Sequence, residues 1–145
     1  MKYNTILSDK FSNIVYFIIG NREYDEYSYE EYYMISNHTD NEIIAAIEEF
    51  ESKTNLSIKS LCWDFSEIES FEYDKLIEHG VLTKDNFDIE NNLKNGKLVE
   101  LDADLLVDII GLCIKYIIKD FEWERLQINA KIIENLNGTG EGLFV

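Results

Sequence analysis

The chain has 145 residues, a length typical of a single domain, and its hydrophobic content of 46% excludes a globally disordered protein. Its 29 acidic and 13 basic residues give a formal net charge of −16. This charge disfavours nucleic acids and anionic membranes as direct ligands, because both are themselves negative. We therefore expect one acidic globular domain over residues 1–145.

Two strands and a helix are predicted in the first third of the chain. Residues 14–19, IVYFII, form a short β-branched and aromatic run that ends at Gly20-Asn21, as buried strands do. Residues 31–36, EYYMIS, predict a second strand, so that 14–36 would form a hairpin-like unit with a wide connection. Thr39 or Asp40 is a typical N-cap, and apolar residues follow at helical spacing, which predicts a helix over about 40–53.

The middle of the chain predicts shorter elements. Residues 56–63, LSIKSLCW, indicate another strand, and residues 66–79 indicate a helix that ends at His79-Gly80. Asn95-Gly96 is typical of a type I′ turn, which would join strands near 87–93 and 97–101. The sequence NFDIENN is nevertheless a poor strand former.

The longest predicted helix covers about 103–121, with Asp102 or Asp104 as its cap. It is apolar on most sides and leaves one narrow polar stripe, formed by Asp104, Asp108, Gly111, Lys115 and Lys119. A helix of this kind is normally central and covered on several sides. Because strands and helices do not alternate regularly, we expect an α+β fold, with a small mixed or antiparallel sheet packed against two to four helices and a long buried helix near 103–121.

The residue types that most often perform chemistry are sparse. His38 precedes a predicted cap and His79 lies in a predicted last helical turn, so a structural or surface role is favoured for both. Cys62 and Cys113 fit no metal-binding spacing and lie among apolar residues, which predicts buried, inert thiols.

Neither the carboxylate pairs nor the glycines form a recognisable ligand motif. Asp85 with Asp88, and Asp102 with Asp104, lack the ligand spacing and turn glycine of a calcium loop. The sequence GTGEG at 138–142 lacks the lysine and the following helix of a phosphate-binding loop. We therefore predict no catalytic residues, no metal and no cofactor.

No segment predicts export or membrane insertion. The N-terminal sequence MKYNTILSDKFSN lacks the long apolar run of a signal peptide. The apolar segment 105–118 is interrupted by Asp108 and Lys115 and is too short to span a bilayer. The expected location is the cytoplasm.

Charge is distributed unevenly along the chain. Residues 23–74 hold fifteen acidic and two basic residues, net −13, whereas 1–22 carry +2 and 75–145 carry −5. Between Glu23 and Ser52 there are ten carboxylates and no lysine or arginine. This asymmetry indicates an acidic face suited to a basic partner.

The sequence EYDEYSYEEYY at 23–33 combines this charge with tyrosines, which give large, rigid contact area in protein interfaces. A second interpretation is an edge strand in which Tyr27, Tyr29 and Tyr33 share one face as ordinary sheet residues. Trp63 is a candidate interface anchor. The predicted partner-binding residues are Glu23, Tyr24, Asp25, Glu26, Tyr27, Tyr29, Glu30, Glu31, Tyr32, Glu48, Glu49, Trp63 and Asp64.

These observations favour a non-enzymatic acidic inhibitor that occludes the basic, nucleic-acid-handling surface of a partner protein. In its charge it resembles, as a class, bacterial immunity proteins against nuclease toxins and phage-encoded anti-defence inhibitors that mimic DNA. Such a protein would bind a toxin nuclease or a nucleic-acid-binding defence protein, with no direct nucleic acid or membrane contact. Two alternatives remain: a small cytosolic enzyme or ligand-binding domain, and a structural subunit of a homo-oligomer, including a homodimer, with 23–33 buried at the contact.

Overall fold

Along the described part of the chain, strands occur before, between and after the helices. The computed structural model of the protein describes residues 11–20, 29–64, 67–90 and 94–125. Within these residues the elements in chain order are β1 (Asn13–Gly20), β2 (Tyr29–Ser36), α1 (Asp40–Thr54), α2 (Ile58–Leu61), β3 (Glu67–Glu69), α3 (Ser70–Glu78), β4 (Lys94–Asn95), β5 (Leu98–Glu100), α4 (Ala103–Ile117) and β6 (Trp123–Arg125). The α+β prediction is confirmed, although the strands form two small antiparallel sheets rather than one.

The first sheet has the strand order β1-β2-β6, and every pairing in it is antiparallel. The register runs from Asn13 opposite Ser36 to Gly20 opposite Tyr29, which confirms the predicted hairpin-like unit. β1 is buried on both faces, because Val15, Phe17 and Ile19 join the main core while Tyr16 and Ile18 are buried on the opposite face. The continuous apolar sequence of this strand reflects its two buried faces.

The second sheet has the order β3-β5-β4 and is built from strands of two or three residues. A turn at Gly96 and Lys97 joins β4 to β5, one residue later than the predicted Asn95-Gly96 turn, because Asn95 pairs with Leu98 as the last residue of β4. Gly96 takes a φ of +64°, which favours glycine, whereas Lys97 does not take the positive φ that a type I′ turn requires at its second residue. The strand expected near 87–93 is wrong over 87–90, where Phe87 N–H donates to Thr83 O at 3.0 Å in a turn, and residues 91–93 lie outside the described residues.

Helix α1 begins where its capping residue predicts. Thr39 Oγ1 accepts from Glu42 N–H at 3.3 Å, and Glu42 Oε1 accepts from Thr39 N–H at 3.1 Å, which makes a capping box. The helix ends at Asn55, which adopts the left-handed conformation.

The strand predicted over 56–63 is wrong, because residues 58–61 form one helical turn, α2. Two side chains account for the difference. Ser57 Oγ accepts from Ser60 N–H at 3.2 Å, and Glu51 Oε2 accepts from Ile58 N–H at 2.8 Å. These bonds satisfy N–H groups that a strand would pair with a neighbouring strand.

The helix predicted over 66–79 is shorter at its start. Residues 67–69 pair with β5 instead of joining the helix, so α3 begins at Ser70. The predicted end is confirmed, because His79 is the C-cap and Gly80 follows with a φ of +77°.

Helix α4 is the buried central helix that the sequence predicts, but it ends at Ile117 rather than near 121. Asp102 caps it by accepting from Leu105 N–H at 2.9 Å. α1 packs against α4, whose buried residues belong to the main core.

The narrow polar stripe of α4 is the surface on which the following chain returns. Trp123 packs over Gly111, where a side chain would leave no room for the indole ring. Lys115 Nζ donates to Phe121 O at 3.3 Å, and Arg125 Nη1 donates to Asp104 O at 3.0 Å. The stripe therefore positions β6 beside β2.

Most of the buried hydrophobic side chains from Val15 to Phe121 form one cluster, which includes residues of all four helices among those described and of both sheets. Tyr16, Ile18, Tyr33 and Ile35 of the first sheet are buried outside this cluster. The description of the chain as a single domain over 1–145 stays a prediction.

Candidate functional site

The acidic tyrosine segment that the sequence singled out is only partly described. Glu23, Tyr24, Asp25, Glu26 and Tyr27 lie outside the described residues. Tyr29 and Glu30 belong to β2 by their backbone, and their side chains also lie outside the description.

The described tyrosines of this segment pack against β1. The Tyr32 ring lies 6.1 Å from the Phe17 ring in a stacked arrangement, and Tyr33 is buried with its ring 5.0 Å from that of Tyr16. Tyr16 Oη donates to Glu31 Oε1 at 3.0 Å. The rings of Tyr32 and Tyr33 thus contribute to the sheet, while Glu31 is exposed.

The predicted contact residues Glu48 and Glu49 lie on the exposed side of α1. Ile43, Ile47 and Phe50 are buried on the other side of the helix. Glu49 Oε2 is 3.7 Å from Lys53 Nζ, an exposed i,i+4 pair of the kind that contributes little to stability.

Trp63 and Asp64, also predicted, lie in a cleft of about 440 Å³ between the end of α2 and the start of α3. Trp63 is 56% exposed, so its indole ring is accessible from solvent. The other lining residues include three carboxylates that the sequence interpretation did not assign to a site: Glu67, Glu69 and Glu72. Among the described lining residues there is no lysine, arginine or histidine.

Local structure fixes the positions of these side chains. Cys62 O accepts from Gly20 N–H at 2.6 Å, which holds the end of α2 against the end of β1. Glu67 and Glu69 lie two residues apart on β3, and side chains at that spacing share one face of a strand. Glu69 N–H donates to Glu72 Oε1 at 3.3 Å at the start of α3.

Glu72 is the buried carboxyl group of the cleft. Burial raises the pKa of Glu72 above its ordinary value, while hydrogen bonds from Glu69 N–H and the Ser60 hydroxyl oppose the shift and the charge of Glu69 adds to it. A buried carboxyl group beside other carboxylates is stabilised in its charged form by a nearby cation. The cleft has the charge and an aromatic face for such a cation.

A signal for this cleft exists in the sequence, because four carboxylates that line it follow Trp63 closely: Asp64, Glu67, Glu69 and Glu72. Their convergence, however, depends on β3 pairing with β5, thirty residues further along the chain. Sequence spacing alone does not supply that pairing.

Glu67 lies directly opposite Glu100 in this pairing. Like charges at directly opposite positions destabilise an antiparallel pair. Repulsion between Glu67 and Glu100 therefore lowers the stability of the sheet beside the cleft.

His38 lies between two carboxylates at the start of α1. Its Nδ1 is 3.0 Å from Glu42 Oε2, and its Nε2 is 2.9 Å from Asp120 Oδ1. Each ring nitrogen therefore faces a carboxylate oxygen rather than an open site. His79 is exposed at the end of α3.

The cysteine prediction is confirmed, since both thiols are free and buried. Burial raises the pKa of Cys62 to about 12, with the charge of Glu72 adding to the shift, and burial also raises the pKa of Cys113. Such thiols are poor nucleophiles at neutral pH. No group of three or more potential metal ligands occurs among the described residues.

Comparisons with known proteins give no relative: no protein-family model, no curated protein and no solved structure matches the chain. Over the described part of the chain, no helix combines the length and apolar character needed to cross a membrane.

Proposed function

We propose that the protein is a non-enzymatic acidic inhibitor that binds the basic, nucleic-acid-handling surface of a partner protein, with the Trp63 cleft receiving an arginine or lysine side chain. The observation that carries the proposal is the cleft itself: an exposed indole beside four carboxylates, with no basic residue in its described lining. The partner class is a toxin nuclease or a nucleic-acid-binding defence protein.

The chemistry of the cleft favours a cationic side chain over other ligands. A cation over an indole ring gains about 0.5–2 kcal/mol, and carboxylates around the ring add charge-assisted hydrogen bonds. Arginine suits the site better than lysine, because its planar guanidinium stacks on the ring and forms paired bonds with a carboxylate.

The overall charge supports the same kind of partner. A net charge of −16 repels phosphates and attracts basic surfaces, which speeds encounter with them at low salt. Glu31, Glu48 and Glu49 are exposed and add to this field outside the cleft. The proposal places the protein in the cytoplasm, and the two free cysteines support a reducing compartment.

A binding experiment with a short arginine-rich peptide tests the cleft. We expect the wild-type protein to bind the peptide, measured by calorimetry, with an affinity that falls as salt rises. Trp63→Ala should weaken binding by about 2- to 30-fold, the equivalent of the cation–aromatic term. The protein should also release a labelled DNA duplex from the same peptide, measured by fluorescence anisotropy.

Phe71→Ala is the matched control, because Phe71 is 58% exposed and does not line the cleft. This variant should bind the peptide as the wild type does. Equal affinity of the Trp63→Ala and wild-type proteins, or binding that does not respond to salt, would contradict the proposal.

A further inference from the structure

The ring of His38 joins two parts of the chain that are far apart in sequence. Glu42 belongs to the first turn of α1, and Asp120 belongs to the connection between α4 and β6, 82 residues from His38. A carboxylate can only accept hydrogen bonds, and a neutral imidazole carries a single N–H. Both bonds therefore form together only when His38 is the doubly protonated imidazolium.

We propose that His38 is a pH-sensitive clamp, which in its imidazolium form ties the Asp120 side chain of the α4–β6 connection to the start of α1 and on deprotonation releases that side chain. The ring is only 15% exposed and lies 6.1 Å from the ring of Phe121, the residue after Asp120. The clamp thus closes over the edge of the main core.

The surroundings of the two carboxylates decide which bond breaks first. Glu42 is held in place by Thr39, whose N–H and hydroxyl donate to Glu42 Oε1 at 3.1 and 3.0 Å. The side chain of Asp120 is 83% exposed. A neutral His38 keeps its one N–H on Nδ1 toward Glu42, and the lone pair on Nε2 then repels Asp120.

Other charged groups near the clamp have their own partners. Asp40 accepts from Asn13 Nδ2 at 2.8 Å, and Lys119 Nζ donates to Tyr116 O at 2.6 Å. The backbone N–H of Glu122 donates to Asn37 Oδ1 at 2.9 Å. Glu42 and Asp120 are the two carboxylates bonded to the ring.

The charges of both partners define the pH range of the clamp. Burial, the largest effect, lowers the pKa of His38, but its hydrogen bonds with Glu42 and Asp120 and their charges together raise the pKa above 6.5. Hydrogen bonds from the Thr39 backbone, His38 and the Thr39 hydroxyl lower the pKa of Glu42 from 4.5 to about 2.

The sign of each shift gives the direction of the pH effect. The raised pKa of His38 contributes stability that is complete below 6.5 and is lost as pH rises through the folded-state value. The lowered pKa of Glu42 contributes stability that is complete above 4.5 and is lost as pH falls toward 2. The clamp is therefore fully closed between about pH 4.5 and 6.5.

A second tie lies beside the clamp and does not depend on pH. Asn37 Nδ2 donates to Asp120 O at 2.7 Å, and Asn37 Oδ1 accepts from Glu122 N–H. These bonds join the same two segments through an amide, which does not titrate. Asn37 consequently offers a matched control.

The proton signals of the two histidine rings, followed by NMR across pH in the full chain, test the proposal. His79→Gln removes the second histidine and so assigns the His38 signal. The midpoint of His38 should lie above 6.5 in the wild type and should fall in Asp120→Asn, which keeps the shape of the side chain. A wild-type midpoint at or below 6.5, or one that Asp120→Asn leaves unchanged, would overturn the proposal.

Urea unfolding at a series of pH values gives an independent test. The stability difference between the wild type and His38→Gln should be largest between pH 4.5 and 6.5 and should shrink above the His38 midpoint. Asn37→Ala should lose the same amount of stability throughout that range. A His38→Gln difference that is constant with pH would contradict the clamp, and the NMR titration stands if this variant does not fold.

Discussion

Glu42 and Asp120 lie on either side of a histidine ring, whereas Glu67, Glu69 and Glu72 line a cleft without a basic side chain in its described lining. At the first place the protein supplies its own cation, which binds two segments together. At the second, nearby carboxylates repel one another, and burial and Glu69 raise the pKa of Glu72. The first pair of carboxylates thus stabilises the fold, whereas the carboxylates of the cleft are the ones that the proposed function assigns to a cationic partner.

The largest expected effect on stability comes from disturbing the aromatic packing beside His38, in which Trp123 stacks on Phe121 and Phe121 lies next to the histidine ring. Gly111→Ala would place a methyl group inside the Trp123 ring, which stacks 5.6 Å from Phe121. Overpacking of this kind costs about 1–3 kcal/mol, which exceeds the gain of up to about 1 kcal/mol from alanine in a helix. We expect a lower free energy of unfolding in urea, with peptide binding by the folded protein unchanged.

A second substitution separates the clash from other causes. In the Trp123→Leu background, which removes the indole ring, Gly111→Ala should cost much less than it does in the wild type. Equal costs in both backgrounds would show that the indole ring is not what the glycine accommodates.

A smaller effect is expected at the cap that holds Glu42. Thr39→Ala removes the hydroxyl that accepts from Glu42 N–H and donates to Glu42 Oε1, and loss of an N-cap costs about 1 kcal/mol. Because Glu42 is then less firmly held, the NMR midpoint of His38 should also fall. Asp102→Ala removes the cap of α4 and should cost a similar amount without moving that midpoint, so a shift in both variants would argue against a local effect.

The sequence predicts the elements whose signals are local. The β-branched sequence of β1 and the capping box of α1 each lie within a few residues, and both elements are found where they are expected. α2 differs because side-chain bonds from Ser57 and Glu51, rather than apolar spacing, determine the backbone of 58–61.

The Trp63 cleft and the His38 clamp are less predictable than the helices and strands, because each depends on contacts between residues far apart in sequence. Trp63 and Asp64 are expected from the sequence, but Glu67 and Glu69 reach the cleft through the pairing of β3 with β5. His38 has a local partner in Glu42, whereas Asp120 is 82 residues away. No periodicity in the sequence connects positions so far apart.

The smallest expected change in stability comes from removing the charge of Glu67, whose repulsion with Glu100 destabilises the folded protein. It is also the most direct test of the difference between the carboxylates at His38 and those of the cleft. Glu67 faces Glu100 across the sheet and also lines the cleft, whereas Glu100 does not line it. Removing either charge relieves the same repulsion, worth about 0.2–1 kcal/mol. Glu100→Gln is therefore a matched control for Glu67→Gln.

The decisive measurement combines urea unfolding with calorimetric binding of the arginine-rich peptide for both variants. We expect both variants to be more stable than the wild type, Glu67→Gln to bind the peptide more weakly, and Glu100→Gln to bind it nearly as well as the wild type. Equal weakening by the two variants would show that the peptide responds to the overall surface charge and not to the cleft. Unchanged stability and unchanged binding in Glu67→Gln would contradict the claim that this carboxylate is kept for a cationic partner.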